Sequence, residues 1–306
     1  MAGMTLDQLR ILIAIAKHRH VAHAAEALYL TQSSVNTAIQ SLEDHYGIKL
    51  LHRNGRRVEM TEAGKMLHNE AQKILNQVTV AEQGLQEFKG LQRGQLTLGA
   101  SFTLGNYWLP DKISQFKQEH PGIQIHCTLG NTEDISLATA TGSFDLSFVE
   151  GEINPAVSAS LEQTAVGSDR VLIVVGQSHP WFTKSDILVS DLLETDWILQ
   201  EPASQLRMIF EQALQLWGIG IHALNVVLEM SSSEMVKAVV ESGAGATAIS
   251  ELTVQKELQL GSLRAVQITG LPKQRMAHIT RFFLQIKCRQ RFQTRLAQAF
   301  EQMLLQ

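Results

Sequence analysis

Cysteine is nearly absent from this chain. Only Cys127 and Cys288 occur, with no CxxC spacing and no histidine-rich neighbour. A structural disulfide, a metal centre or a bound cofactor is therefore not expected, and a reduced cytosolic setting is. Long apolar runs are missing as well, and none approaches the ~20 residues that cross a bilayer. The first residues lack the charged-then-apolar order of an export signal. A cytoplasmic protein with no membrane partner is the expectation. A large excess of one charge is also lacking: 26 Lys/Arg stand against 30 Asp/Glu, a net charge of −4. With 44% hydrophobic and 18% charged residues the chain is globular rather than disordered. Its 306 residues suffice for two or three domains with real cores.

The mild net charge hides an asymmetry. Through Arg93 there are 11 basic residues against 9 acidic, and 15 against 21 thereafter; six of the 11 histidines lie in the first segment. Affinity for a polyanion would depend on where the arginines sit, not on bulk charge. Residues 31–64 show where. Val35, Ile39 and Leu42 form an inward helical stripe. The opposite face carries Ser34, Asn36, Thr37, Gln40 and Ser41, all short uncharged hydrogen-bonding groups. Thr31-Gln32-Ser33 offers an N-cap ahead of them. Arg53, Arg56 and Arg57 bracket Asn54-Gly55, a dipeptide that favours a type I′ hairpin turn. Upstream, Thr5 and Gln8 fit a capping box, and Leu6, Leu9, Leu12, Ile13 and Ala16 a helical stripe. A second short helix spans roughly Val21 to Leu28, where Ala24 and Ala25 permit a close crossing. Helix, helix, turn, helix, wing is the order of a winged helix-turn-helix. A small helical subdomain with a solvated polar face is the bland rival, and the arginine-flanked hairpin argues against it.

Residues 4–64 resemble the DNA-binding domain of LysR-type transcriptional regulators. The resemblance rests on Ala24-Ala25-Glu26-Ala27-Leu28, Thr31-Gln32-Ser33-Ser34-Val35, Ile39 through Leu42-Glu43, Gly47 through Arg53, and Thr61-Glu62-Ala63-Gly64. The chain departs from the family pattern at Arg19-His20, where Gly-Ser is usual, and at Ser33, where proline is frequent. Thr37 and Gln40 stand where arginine or lysine is common. The resemblance implies an operator duplex as partner and Gln32, Ser33, Ser34, Asn36, Thr37, Gln40, Ser41, Arg53, Arg56 and Arg57 as DNA-facing residues. It further implies a nucleoid-associated regulator for which RNA polymerase is a candidate partner.

Leu67, Ala71, Ile74, Val78, Ala81, Leu85 and Phe88 alternate four-three along a helix starting near Thr61. That is a heptad seam, and pairing with the same helix of a second subunit explains it. The rival is an amphipathic helix lying on its own domain, and Gly84 and the two alanines weaken the seam. In the family this linker makes the dimer, and paired effector domains extend it to a homotetramer.

After Gly94 strands and helices alternate: strand Gln95 to Ala100, helix Tyr107 to Glu119, strand Ile123 to Leu129, helix near Asp134 to Ala140, strand Phe144 to Val149. This order implies a parallel sheet with right-handed crossovers. A second unit is expected near Ser168, with VLIVVG (171–176) as its first strand, then strands at Trp197 to Leu199, Val226 to Met230 and Thr247 to Ser250. Strand Arg281 to Ile286 and a helix near Thr294 to Leu305 return to the first lobe. The expected architecture is α/β with an N-terminal winged helix-turn-helix (1–60), a linker and dimerisation helix (61–93) and a two-lobed, periplasmic-binding-protein-like effector domain (94–306). Lobe I is 94–167 with about 269–306, and lobe II about 168–268.

Ligands in open α/β sheets sit beyond the carboxyl ends of strands, near helix N-termini. Ser101, Thr103, Asn131, Thr132 and Glu150 from one lobe, with Gln200, Ser204 and Gln205 from the other, should converge there. Each alone reads as an ordinary N-cap; together they suggest a small polar effector, expected to be anionic. The run Ser101 to Pro110, Gly130-Asn131-Thr132 and Phe148-Val149-Glu150-Gly151 resembles the LysR branch linked to sulfur and cysteine metabolism, which implies small oxyanions. The loops Glu201 through Gln205 and Gly243 through Thr247 depart from that branch. An enzyme is not expected: Ser178-His179 is the only adjacent Ser-His pair, and strand neighbours point to opposite faces. A cytosolic two-lobed binding protein or enzyme with an incidental helical head is the alternative.

Overall fold

Residues 3–54, 57–87, 94–202, 204–271 and 279–304 are described by the structure, a computed structural model. The head begins with α1 (Leu6–His18), whose capping box closes as Thr5 Oγ1 accepts the Gln8 amide and Gln8 Oε1 accepts the Thr5 amide. α2 (Val21–Ala27) and α3 (Gln32–Tyr46) follow. Arg19 ends α1 in the left-handed region (φ 52), and His20 caps α2 by accepting the Ala22 amide on Nδ1. A glycine and a serine would do both jobs with less strain, which is the physical content of the departure at this pair. Leu12, Ile15, Ala24, Ala25, Val35, Ile39 and Val58 close the small core.

The wing pairs β1 (Leu51–Asn54) with β2 (Arg57–Met60), Asn54 facing Arg57. Asn54 is thus a strand residue and not the first turn residue expected of Asn54-Gly55. Arg56 lies outside the described residues, as do the side chains of Arg53 and Arg57.

α4 (Glu62–Glu87) leaves the head over Leu50, whose carbonyl oxygen would be 2.1 Å from a Cβ at Gly64. Any side chain there would push the helix off the wing. The expected heptad seam is divided by this geometry. Leu67 packs on the head's own core and Ala71 is fully buried, because α4 crosses α1 before it departs. Farther on, Ile74 (41%) and Leu85 (70%) are exposed in the single chain. Val78 is half-buried, Ala81 is exposed, and Phe88 lies outside the described residues. The adjacent face of α4 docks on the effector domain. Asn76 Nδ2 donates to the Thr141 carbonyl (2.8 Å), Gln77 Nε2 donates to the Gln290 carbonyl (3.3 Å), and Val80 is buried. One face of this helix therefore lies on its own chain, as the rival reading expects, while Ile74, Ala81 and Leu85 of the seam are exposed.

The effector domain builds lobe I from β3 (Gly94–Ser101), α5 (Leu109–Glu119), β4 (Ile123–Gly130), α6 (Thr132–Ala140), β5 (Leu146–Glu150) and α7 (Pro155–Ser158). β6 (Leu161–Gly176) then crosses into lobe II, which holds β7 (Asp186–Leu188), β8 (Asp196–Gln200), α8 (Gln205–Trp217), β9 (Asn225–Met230), α9 (Ser233–Glu241), β10 (Ala246–Ser250), α10 (Glu251–Leu260) and β11 (Leu263–Thr269). β12 (Ile279–Cys288) and α11 (Arg295–Leu304) return to lobe I. The sheet runs β4-β3-β5-β12-β6-β10-β8-β9, with β11 also on β6.

Two expectations change here. The sheet is mixed: β4-β3-β5 and β10-β8-β9 are parallel, but the crossing strands β6 and β12 run antiparallel to each other, from Ile279↔Val171 to Cys288↔Leu161, and to their neighbours β5, β10 and β11. Lobe II's first strand also does not start at Val171 but is the far end of a 16-residue strand from Leu161. Its first half, Glu162-Gln163-Thr164, is exposed and polar, so no apolar pattern announces it. Two separate cores confirm two lobes, one around Phe116, Phe148, Phe283 and Phe300, the other around Val174, Trp197, Ile198 and Phe210. Ser178-His179-Pro180 is a turn, as expected. His179 accepts the Trp181 amide on Nδ1 (3.1 Å) and shares a 2.8 Å hydrogen bond with Thr195. Burial lowers its pKa, outweighing the pull of Asp196, and its role is structural.

Candidate DNA-reading head and effector cleft

α3 divides cleanly by face. Val35, Ile39 and Leu42 are buried, while Gln32, Ser33, Ser34, Thr37, Gln40 and Ser41 are exposed and Asn36 is half-exposed. Thr31 caps the helix through the Ser34 amide (3.1 Å), and its hydroxyl meets that of Ser34 at 2.8 Å. Ser34 is thus partly occupied by the cap, while Gln32, Ser33, Thr37, Gln40 and Ser41 remain exposed on one face, the kind of polar row that a major groove admits.

A residue that the sequence reading passed over ties this helix to the wing. Glu43 is buried at the far end of α3. Its Oε1 accepts the amides of Leu50 (2.9 Å) and Leu51 (3.2 Å), and its Oε2 accepts Lys49 Nζ at 2.6 Å. Burial works to raise its pKa, but the Lys49 hydrogen bond and the two amides more than offset this and leave it lowered. The signal was an acidic residue directly after a buried leucine. Tyr29 was also missed: it is 98% exposed at φ 55 in the turn between α2 and α3, a position that costs a bulky side chain strain.

The expected effector residues fall into two groups, one in each lobe, and of them only Thr132 and Gln205 line the cleft between the lobes. On the lobe I side Ser101 Oγ donates to Glu150 Oε2, and Thr132 Oγ1 donates to the Glu150 carbonyl (3.0 Å). Thr103 is buried; the chain is already helical from Phe102, continuing through a π-type turn at Leu104–Trp108. Such turns frequently mark functional sites. Asn131 is exposed and caps α6 through the Asp134 amide (2.7 Å). On the lobe II side Ser204 Oγ donates to Gln200 Oε1 (2.8 Å), and Gln200 Nε2 donates to Ser233 Oγ (2.9 Å). Gln205 reaches across: a Cβ on Gly151, which has φ +81, would be 2.4 Å from its Oε1. On the far flank Lys237 of α9 lies 5.8 Å from the Tyr107 ring centroid.

The floor holds a hub that the sequence reading did not single out. Arg281 of β12 is 1% exposed at its side chain and donates to Asp169 Oδ2 from Nε (3.1 Å) and Nη2 (2.9 Å), and to Glu150 Oε1 from Nη1 (3.3 Å). Ser250 Oγ adds a 2.6 Å hydrogen bond to Asp169. One guanidinium between two buried carboxylates leaves a net negative floor, and Glu150 is committed there instead of being free for a ligand. An arginine opening an apolar strand, with Asp169 just ahead of VLIVVG (171–176), was the available clue. A cleft of about 680 Å³ opens beside this hub. Thr132, Gly151 and Gln205 line it, together with Met208, Ile209 and Phe282 and the acidic Glu133 and Glu152.

Comparison with known proteins assigns these parts. Residues 6–65 match the bacterial regulatory helix-turn-helix protein, lysR family, and residues 89–306 match the LysR substrate binding domain. A protein of Nostoc sp. called a probable RuBisCO transcriptional regulator is 34% identical over 302 residues, covering 98% of this chain and 88% of its own. One of Cyanophora paradoxa with the same description is 35% identical over 275 residues, covering 90% and 85%. Among solved structures, full-length CbnR complexed with its target DNA superposes with a TM-score of 0.70 at 17% identity, covering 99% of both chains. A cysteine-to-aspartate variant of full-length OxyR from Pseudomonas aeruginosa gives 0.69 at 20%, covering 99% of this chain and 98% of its own. The likeness to the sulfur- and cysteine-linked branch finds no support in these relatives. The chain belongs to the LysR family: it is a DNA-binding transcriptional regulator with an effector-binding domain, not an enzyme.

Proposed function

We propose that this regulator works in the cytoplasm, at the nucleoid, as at least a homodimer and in its working form a homotetramer, with its DNA complex set by a small polar effector held between the lobes. The observation that carries the effector reading is the contact of Gln205 with Gly151, in which α8 of lobe II closes over the end of β5 beside a cleft of about 680 Å³. Ligand pockets span about 300–1,000 Å³. The exposed Ile74 and Leu85 support the dimer, since apolar seam residues on a linker helix gain by burial against a second copy.

Charge revises the expected ligand. Glu133 and Glu152 line the cleft, and its one lining guanidinium, Arg281, is already bound by two carboxylates. An anion would be met there by helix-start amides and uncharged side chains such as Thr132, Ser136 and Gln205, with no cation left over from the Arg281 pairs. The lining suits a molecule with hydrogen-bond donors at one end and an apolar body against Phe282, Met208 and Ile209. Similarity to proteins described as RuBisCO regulators makes carbon-fixation genes the first target set to test, and RNA polymerase is the partner such a role implies at a promoter. A thermal-shift screen of small metabolites on the full chain, inorganic oxyanions included, tests the site. Gln205→Ala is expected to bind operator DNA normally and lose the hit's effect on the footprint. A hit acting equally on Gln205→Ala places the effector elsewhere.

A further inference from the structure

α6 and α7 separate two cavities of opposite character. The interlobe cleft lies on one side. On the other, a cavity of about 400 Å³ sits where α4 crosses lobe I. Asn69, Lys73, Asn76 and Gln77 supply its α4 wall. They fall at i, i+4, i+7 and i+8, a polar helical row beside the apolar seam. The facing wall comes from the ends of α6 and α7 and from the turn after β12, which contributes Arg291. Its charged lining is two basic side chains and no carboxylate.

Arg291 is the informative member. Its side chain is only 7% exposed, with Nη2 donating to Asp145 Oδ1 at 2.7 Å and Nη1 to the Gly142 carbonyl. Its Nε is buried with no hydrogen-bond partner. An unpaired buried donor on a cation calls for an explanation, and a cationic cavity beside it offers one. Lys73 pairs with Glu70 at 2.8 Å, and both side chains are half-exposed. Such surface pairs are weak and exchange partners readily.

We propose that this linker-side cavity binds the carboxylate or oxyanion group of a small molecule, gripped by Lys73 of α4 and Arg291 of lobe I. The site stands whether or not the cleft binds its effector. Its occupant joins the linker helix to lobe I, where Asn76 and Gln77 make the hydrogen bonds described above. It thereby favours one linker angle, to the extent that it binds that arrangement better. Val157 lines both cavities, so the two ligands act on a common wall and each changes the other's affinity by the same factor.

The test uses the full-length protein with inorganic phosphate and acetate as probes, against chloride at matched ionic strength. Melting temperature and operator gel shift are the readouts. Lys73→Glu and Ser160→Trp alter positions that are exposed or half-exposed, and their melting temperatures in chloride report whether the fold is kept. Wild type is expected to melt higher in millimolar phosphate or acetate, with each variant raising the half-saturating concentration at least about tenfold. A response to one probe alone identifies the group and supports the site. The proposal is overturned if wild type responds to neither probe, or if both variants respond like wild type. It is equally overturned if Gln205→Ala loses the response that both linker variants keep, since the anion then sits in the cleft.

Discussion

Glu43→Ala is expected to loosen the wing from the recognition helix without disturbing the groove-facing row. The carboxylate satisfies two backbone amides, at 2.9 and 3.2 Å, one of them the amide of buried Leu50. Leaving a buried donor unsatisfied costs about 1–3 kcal/mol. The Lys49 contact adds little, because the lysine is 69% exposed and screened. The expected loss is therefore about 2–4 kcal/mol, local to the start of β1. Amide exchange at Leu50 and Leu51 reads it directly and is expected to quicken roughly 30- to 900-fold, at about 1.4 kcal/mol per tenfold, with operator affinity falling in parallel. The same anchor is pH-dependent. Since the folded-state pKa is lowered, the stabilisation is fully present above the ordinary glutamate value and is lost as pH falls through the lowered one. Glu43→Gln is expected to remove that dependence. Exchange at both amides that is unchanged in Glu43→Ala would falsify the anchor.

Other perturbations reach the remaining parts. Gln40→Ala is expected to cost roughly 1–3 kcal/mol at one operator position and relax preference there; equal weakening on every sequence would mark a backbone contact, as binding to base-substituted duplexes would show. Ile74→Asp with Leu85→Asp changes two residues exposed in the single chain, so it should leave the protomer folded and abolish the dimer, and sedimentation showing an intact oligomer removes the seam. Gly151→Ala is expected to hold the lobes apart and blunt the effector response, with Gln205→Ala in the same chain restoring closure measured by small-angle scattering. Arg281→Met leaves two buried carboxylates without their cation and is expected to cost about 3–5 kcal/mol, read by urea denaturation; an unchanged midpoint would remove the hub from the account.

Much of this molecule was legible because its signals are local. The α3 faces, the Thr5 capping box and the alternating elements of each lobe follow from periodicity and cap residues, which act within one or two turns of chain. The misses are non-local. Nothing near Leu161 announces a strand that serves both lobes, since its exposed half carries polar residues and its partner β12 lies more than a hundred positions away in the chain. The Arg281 hub joins residues from β5, β6, β10 and β12, so its pairing of one guanidinium with two carboxylates exists only after folding. The seam divides for a related reason: Leu67 keeps the heptad spacing while packing on the head's own core, and Ala71 keeps it while fully buried within the single chain. Arg19 and His20 show the converse, a local substitution whose backbone consequence, a left-handed residue and an imidazole cap, could be anticipated from what glycine and serine ordinarily do there.

The account's central claim is that the polar face of α3 reads DNA sequence. Its most direct test is equilibrium binding of the full-length protein to duplexes selected from a random pool and to an unselected duplex, across a salt series. The account predicts a recovered consensus bound at least about 10³-fold more tightly than the unselected duplex. It also predicts that affinity for both falls linearly with the logarithm of salt concentration, and that the Gln40→Ala protein recovers a consensus degenerate at one position. A protein that enriches no sequence, or whose consensus is untouched by changes along Thr37, Gln40 and Ser41, contradicts it.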